Sequence, residues 1–196
     1  LTVANTNGTG VSGALATALK VNSGDRDVFD NVTFLGNKQT LQLQTANTTT
    51  YSRLYFSNAY VEGGQDMILG RAVAVFEDST IHVLDQAGAS ITDSSISSAH
   101  PYGFLVTDSQ IVTDGAAGSI HLGRPYPAST TSQAQVTVRD TELGAAINTA
   151  QPWKDWNATT PWTSARFSEY QNTGPGATVN ANRPQLTDEQ AAQYTK

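Results

Sequence analysis

A short pattern of apolar and polar residues recurs along the chain. Each copy has two strand-forming residues, a variable residue, Asn or Asp, and then residues that alternate between apolar and polar. Consecutive copies begin 20 to 32 residues apart. Five copies align without gaps, and they start at Val28, Tyr55, Val75, Leu105 and Thr137. A repeat of short strands at this period is typical of a solenoid, in which each copy forms one coil.

The Asn or Asp in each copy predicts a tight bend between two strands. These two residue types adopt left-handed backbone conformations more readily than other non-glycine residues and bond their own backbone. A sixth, partial copy at residues 2–6 has Asn5 at the same position, so we expect the same bend there. The pattern therefore predicts an all-β parallel β-helix, with a β-sandwich as the alternative that it leaves open.

The regions between and after the copies add further expectations. Strand candidates lie at 41–44, 103–106 and 120–122. After about residue 145 an aromatic and proline-rich stretch predicts a long loop on the flank of the solenoid. Its tryptophans either pack in the fold or stack on sugar rings, and both interpretations stay open. Thr187 precedes Gln190 by three residues, a capping-box spacing that predicts one short terminal helix.

Composition and charge exclude several classes of function. The chain has 17 acidic and 11 basic residues, a net charge of -6, which argues against nucleic acid as a partner. It has no cysteine, so disulfides, thiolate catalysis and Cys-based zinc sites are excluded. No apolar run approaches the roughly 20 residues of a membrane span. The three histidines, at 82, 100 and 121, show no metal-ligand spacing, so we expect no metal site.

Two segments depart from the coil pattern and carry candidate chemistry. Asp66 is followed by apolar residues, and a carboxylate there is costly unless it faces a polar groove. Arg124 lies between Gly and Pro, and its planar guanidinium suits two-pronged binding of carboxylates. Since coils stack about 4.8 Å apart, residues at equivalent coil positions can meet. The pair is either part of a functional groove or a buried ion pair without chemistry.

These segments resemble pectin methylesterases, the carbohydrate esterases that remove methyl esters from polygalacturonate. The matching blocks follow the family's order and include a long C-terminal block ending in Gly174-Pro175-Gly176-Ala177. They lie at 34–41, 63–70, 122–126, 167–177 and 186–195. The resemblance implies a single right-handed parallel β-helix domain over residues 1–196, with a short C-terminal helix and long flanking loops. It implies no cofactor, pectin as the partner, and a location outside cells or in a bacterial cell envelope.

The resemblance also assigns roles to individual residues. The family's nucleophilic aspartate matches Asp66, which would attack the methyl ester carbonyl and form an acyl-enzyme. Its substrate-binding arginine matches Arg124. Tyr126 stands where the family has tryptophan and keeps an aromatic wall for the substrate. Three more positions are expected to bind substrate: Met67 beside the nucleophile, and Arg71 and Trp153, which resemble a bacterial branch of the family.

Three positions depart from the family pattern. The general acid/base aspartate falls on Gln39, whose amide does not exchange protons at a useful pKa. The glutamines of the oxyanion hole fall on Lys38 and Leu15, of which only the lysine can stabilise an oxyanion. Loss of a general acid/base lowers the catalytic rate by about 10²–10⁴-fold. We therefore expect a weakened esterase, with a pectin-binding pseudoenzyme, an acyl-thioesterase or a ligand-free scaffold as alternatives.

The start of the chain carries one further expectation. Pectin methylesterases have several coils before the point that matches Leu1. The chain would then be the C-terminal two-thirds of such a domain. Its first coil would expose apolar core and unpaired strand edges, which we expect a preceding segment to cover.

Overall fold

The computed structural model describes residues 1–7 and 15–195. Short strands dominate these residues, with one 3₁₀ turn at Trp162–Ser164 and one helix, α1, at Asp188–Ala191. The strands, in chain order, are β1 (Thr2–Ala4), β2 (Leu19–Val21), β3 (Asp27–Asp30), β4 (Thr33–Leu35), β5 (Leu41–Leu43), β6 (Arg53–Ser57), β7 (Tyr60–Gly63), β8 (Ile68–Gly70), β9 (Val73–Glu77), β10 (Thr80–Val83), β11 (Ser90–Ser94), β12 (Phe104–Thr107), β13 (Gln110–Thr113), β14 (His121–Pro125), β15 (Gln135–Arg139), β16 (Glu142–Leu143) and β17 (Arg166–Tyr170).

The strands form three parallel sheets, and each full coil contributes one strand to each sheet. The first sheet has the order β1-β4-β7-β10-β13-β16, the second β14-β11-β8-β5-β2, and the third β17-β15-β12-β9-β6-β3. Every pairing between these strands is parallel. The predicted parallel β-helix is therefore confirmed, and the β-sandwich is excluded.

The predicted bends lie between the third and the first sheet. In all five aligned copies the Asn or Asp has a positive φ of 47–52° and separates two consecutive strands. These residues are Asn31, Asn58, Asp78, Asp108 and Asp140. A further bend of the same kind, with φ 47°, lies at Gln171 directly after β17. The sequence pattern missed that bend because glutamine lacks the short side chain that marks the others.

The repeat pattern aligned the partial copy at residues 2–6 with the wrong strand of the coil, the one before the bend. Thr2 pairs with Thr33, so β1 corresponds to the strand after the bend and not to the strand before it. Asn5 therefore lies beyond β1, where its side chain donates to the Thr17 carbonyl oxygen at 3.0 Å, and the expected bend there is wrong. Three residues of alternating pattern fit either strand of a coil, so the pattern alone did not fix the alignment.

Phenylalanine side chains from successive coils stack inside the β-helix. The rings of Phe29 and Phe56 are 4.7 Å apart and nearly parallel, and those of Phe56 and Phe76 are 4.6 Å apart. Phe34 packs edge-on against the first two. Parallel strands in register repeat at about 4.8 Å, which matches the ring spacing, so the fold itself sets this ladder.

The C-terminal segment packs along the side of the β-helix. Trp153 is fully buried and stacks on Phe167 at 4.4 Å. The predicted terminal helix is confirmed as α1, and Thr187 and Gln190 form its capping box. No helical segment among the described residues has the length and apolar character needed to span a bilayer.

One end of the described β-helix is open. Among the described residues, β1, β2 and β3 each pair with a neighbouring strand on one side only. Leu1, Leu15 and Val28 are exposed at 86%, 54% and 64% of their surface. Unpaired strand edges beside exposed apolar side chains are a surface to which other strands can add.

Candidate active site

A polar cleft of about 200 Å³ opens beside the second sheet. Coil stacking brings together residues that are up to 118 positions apart in sequence. The lining residues are Lys38, Gln39, Gln65, Asp66, Leu69, Asp93, Arg124, Tyr126 and Trp156. Four of them were predicted as catalytic residues and one, Tyr126, as a substrate contact. The structure therefore places these five predicted residues around one cleft.

Asp66 lies on the turn that leads into β8. Its backbone is left-handed, with φ 48°, and its amide donates to the Ser90 carbonyl oxygen at 2.8 Å. The side chain is only 6% exposed. Arg124 Nη2 donates to Asp66 Oδ1 at 2.8 Å, which fixes the carboxylate at the base of the cleft. A single exposed edge and a fixed position are what a carboxylate nucleophile needs.

Arg124 is held from three sides. It lies on β14 in register with Asp93 on β11, and its Nε and Nη2 donate to the Asp93 carboxylate at 3.1 and 3.2 Å. The guanidinium carbon lies 4.3 Å from the centre of the Trp156 ring, a cation–π contact. Tyr126 packs edge-on against the same ring at 5.2 Å. The Arg124 guanidinium thus binds two carboxylates, and the Trp156 ring covers one face of the guanidinium.

Asp93 was not predicted as a site residue. Burial and the neighbouring Asp66 charge raise the pKa of Asp93, Arg124 opposes both effects, and the net result is a pKa of about 7. In the sequence it resembles one more Asp near a strand end. The register of β11 against β14 places Asp93 beside Arg124. The sequence alone does not give this register, so it could not identify Asp93.

Lys38 and Gln39 lie on the coil next to Asp66. Lys38 forms parallel bridges with Leu15 on one side and Gln65 on the other. Gln39 has a left-handed φ of 60°, like Asp66, and accepts a hydrogen bond from Gln42 Nε2 at 3.1 Å. Lys38 lines the same cleft as Asp66, which makes its ammonium a candidate cation for an oxyanion.

Met67, Trp153 and Arg71, which were predicted as substrate contacts, lie outside the cleft. Met67 is fully buried in the apolar core, so its side chain points away from the cleft that Asp66 lines. Trp153 is also fully buried, and its indole N–H donates to Glu169 at 3.2 Å. Arg71 follows the far end of β8 and donates to the Thr45 carbonyl oxygen at 3.4 Å, outside the cleft. Trp156, three residues after Trp153, is the tryptophan that lines the cleft.

The surroundings of Asp66 and Arg124 have features of both a structural ion pair and a functional groove. The pair is a buried ion pair, as a structural role would require. It also forms the floor of an open polar cleft beside Lys38 and Gln39, which a purely structural pair would not need. A second buried carboxylate, Asp93, leaves this group of three charges with an excess of negative charge when all are ionised. Such an arrangement is costly for stability and is typical of functional sites.

Comparison with known proteins decides the family. The pectinesterase family model matches residues 1–196. The chain belongs to the pectinesterase family. A pectinesterase from Ralstonia nicotianae is 36% identical over 186 residues, covering 83% of this chain and 47% of that protein. Pectinesterase 31 from Arabidopsis thaliana is 30% identical and covers 91% of this chain and 53% of that protein.

Solved structures support the same membership. The pectin methylesterase from Yersinia enterocolitica matches with a TM-score of 0.81 at 26% identity, covering 97% of this chain and 65% of that one. A pectin methylesterase in complex with a hexasaccharide matches with a TM-score of 0.79 at 27% identity, covering 92% and 59%. The Escherichia coli YbhC structure matches with a TM-score of 0.82 at 27% identity, covering 91% and 52%. This pectinesterase-family chain spans about half the length of the curated relatives it matches.

Proposed function

We propose that the chain hydrolyses methyl esters of polygalacturonate, with Asp66 as the nucleophile. The observation that carries the proposal is the Asp66 carboxylate at the floor of the polar cleft, held by Arg124 at 2.8 Å beside Lys38. Family membership and the likeness to a pectin methylesterase bound to a hexasaccharide support a pectin-derived polysaccharide as the substrate.

In the proposed reaction an Asp66 oxygen attacks the ester carbonyl carbon. The carbonyl oxygen gains negative charge, which the Lys38 ammonium stabilises. Arg124 holds the attacking carboxylate in place, and Tyr126 and Trp156 form the apolar wall on which a sugar ring packs. Methanol leaves, and water then hydrolyses the acyl-enzyme to release the free carboxylate.

The proposed substrate also bears on location. Pectin is a cell-wall polysaccharide, so we propose that the protein acts outside cells or in a bacterial cell envelope.

Methanol release from highly methylated pectin tests the proposal. The parent chain is compared with Asp66→Asn, which keeps the size of the side chain and its contact with Arg124 but removes the nucleophile. We expect release by the parent and only background release by the variant. Release that is equal in both would overturn the role of Asp66.

Two other outcomes point to other functions. Binding of oligogalacturonate without methanol release would indicate a pseudoenzyme, an outcome that the glutamine at position 39 favours. Hydrolysis of acyl-CoA in place of pectin would indicate a thioesterase. YbhC, which is 29% identical over 167 residues, carries a name that assigns acyl-CoA thioester hydrolysis provisionally.

A further inference from the structure

Asp93 and Asp66 share one guanidinium. The Arg124 guanidinium donates to both carboxyl groups, so two buried acids lie against a single cation. Two ionised carboxylates at such a short separation repel each other, which favours the protonated form of one of them. The site is therefore a carboxyl pair in which one member is favoured to hold a proton.

The environment places that proton on Asp93. The Asp93 side chain is 5% exposed, and removal from water disfavours its charged form. The charged and titratable groups that face it are Arg124, in direct contact, and Asp66 on the same guanidinium, with Lys38 and Tyr126 elsewhere in the same cleft. Burial and the Asp66 charge together raise the Asp93 pKa to about 7, so this carboxyl exchanges its proton near neutral pH.

The position at which an acid/base is missing lies in the same cleft. Gln39, where the resemblance to pectin methylesterases expects a proton-transferring aspartate, cannot exchange a proton. Gln39 lies on the coil before Asp66, and Asp93 lies on the coil after it. The two residues thus flank the proposed nucleophile on opposite sides, and both line the cleft.

We propose that Asp93 is the general acid/base of this site and supplies the proton exchange that Gln39 cannot. The proposal rests on the proposed esterase function. As the tetrahedral intermediate collapses, the bond between the carbonyl carbon and the methoxy oxygen breaks, and that oxygen takes the Asp93 proton to leave as methanol. Asp93, now ionised, then takes a proton from water as the water oxygen attacks the acyl-enzyme. The Asp66 carboxylate is released, the product acid loses its proton to solvent, and Asp93 is protonated again.

The first test removes the proton and varies the leaving group. Asp93→Asn is compared with the parent on methylated trigalacturonate and on the p-nitrophenyl ester of the same sugar, whose leaving group departs without a proton. We expect kcat for methanol release to fall about 10²–10⁴-fold, the usual contribution of an acid/base, with a smaller change in KM. The burst of nitrophenol should change much less.

A purely structural role predicts a different result. If Asp93 only positioned Arg124, its loss would slow the first-turnover release of methanol and of nitrophenol to the same extent. Asp85→Asn serves as the matched control, because Asp85 is exposed and lies outside the cleft. It should leave both rates unchanged.

The pH profile and a relocated carboxyl give two further readouts. The parent kcat/KM should fall as pH rises above about 7, since Asp93 must be protonated for methanol to leave, and Asp93→Asn should lack this decline. Gln39→Asp combined with Asp93→Asn moves the carboxyl to the other side of Asp66. We expect this double variant to release methanol at least tenfold faster than Asp93→Asn does.

The outcomes separate the two proposals. Methanol release by the parent with an unchanged rate and pH profile in Asp93→Asn would overturn the role of Asp93 and leave the esterase standing. Equal slowing of the first-turnover release of methanol and of nitrophenol would do the same. No methanol release by the parent would overturn the proposed function, and the role of Asp93 would fall with it.

Discussion

Glu169 and Arg183 form an ion pair that is closed off from solvent beside the last coil. Their side chains are 2% and 0% exposed, and Arg183 donates to both carboxylate oxygens, at 3.1 and 2.5 Å. The Trp153 indole and the Asn172 amide donate to the same carboxylate, each at 3.2 Å. The pair therefore ties the C-terminal segment to β17 and to the fully buried tryptophan.

Removal of one member of this pair should be strongly destabilising. Arg183→Met leaves the Glu169 charge buried without its partner, and we expect a loss of about 3–5 kcal/mol in the free energy of unfolding. Urea denaturation measures this loss. Arg53→Met removes an exposed arginine paired with Asp25 and should cost less than about 1 kcal/mol. Equal losses in the two variants would contradict the structural role of the buried pair.

Gly70 should not tolerate a side chain. Its φ is +140°, and a Cβ there would lie 2.0 Å from the Leu43 carbonyl oxygen of the neighbouring coil. We expect Gly70→Ala to lower stability by more than about 2 kcal/mol, through backbone strain and overpacking together. Gly118→Ala is the control, with φ +73° and no described atom within 4 Å of the added Cβ, so that only the strain remains. Melting temperatures that fall equally would show that the contact with Leu43 adds nothing.

The sequence was sufficient for the fold because its main signal is local. Each coil marks its own bend with Asn or Asp, and the left-handed backbone at Asn58 or Asp78 depends on that residue more than on its surroundings. Gln171 bends in the same way without this mark, since the coil before it and the pairing of β17 impose the geometry. The Asn or Asp at each bend thus predicts the repeat from sequence, whereas the last bend, at Gln171, is identified only from the tertiary structure.

The site was less predictable, because it depends on register and on side-chain direction. Asp66 and Arg124 were found from their unusual neighbours in sequence. Asp93 has ordinary neighbours and becomes distinctive only when β11 aligns with β14. Trp153 and Trp156 lie three residues apart in one loop, and only the path of that loop buries the first and brings the second to Arg124.

The raised pKa of Asp93 predicts how stability depends on pH. The folded chain keeps this proton up to a pH of about 7, whereas an unfolded chain releases it near 3.8. Between these values the folded state binds more protons, so this group's contribution to stability falls as pH rises and is flat above about 7. Asp93→Asn removes the dependence. The melting temperature of this variant minus that of the parent should increase from pH 4 to pH 8.

The matched control for the pH experiment is Asp85→Asn. Asp85 is exposed, so its variant should stay within about 0.5 kcal/mol of the parent across the range. A melting-temperature difference between Asp93→Asn and the parent that stays constant from pH 4 to pH 8 would show that Asp93 is ionised throughout. That result would also argue against its proposed role as an acid.

Trp156 should affect substrate affinity more than it affects folding. Its ring covers the Arg124 guanidinium at 4.3 Å and forms part of the cleft wall with Tyr126. If an aromatic face packed on a sugar ring contributes about 0.5–1.5 kcal/mol, as aromatic pairs do, Trp156→Ala should raise KM for pectin oligomers by about 2- to 13-fold. Trp156→Phe keeps an aromatic face and should raise KM less. Trp162 lies in the same loop region but outside the cleft, and Trp162→Phe should leave KM unchanged. If KM is unchanged in Trp156→Ala and kcat falls, the ring positions Arg124 and does not contact the substrate.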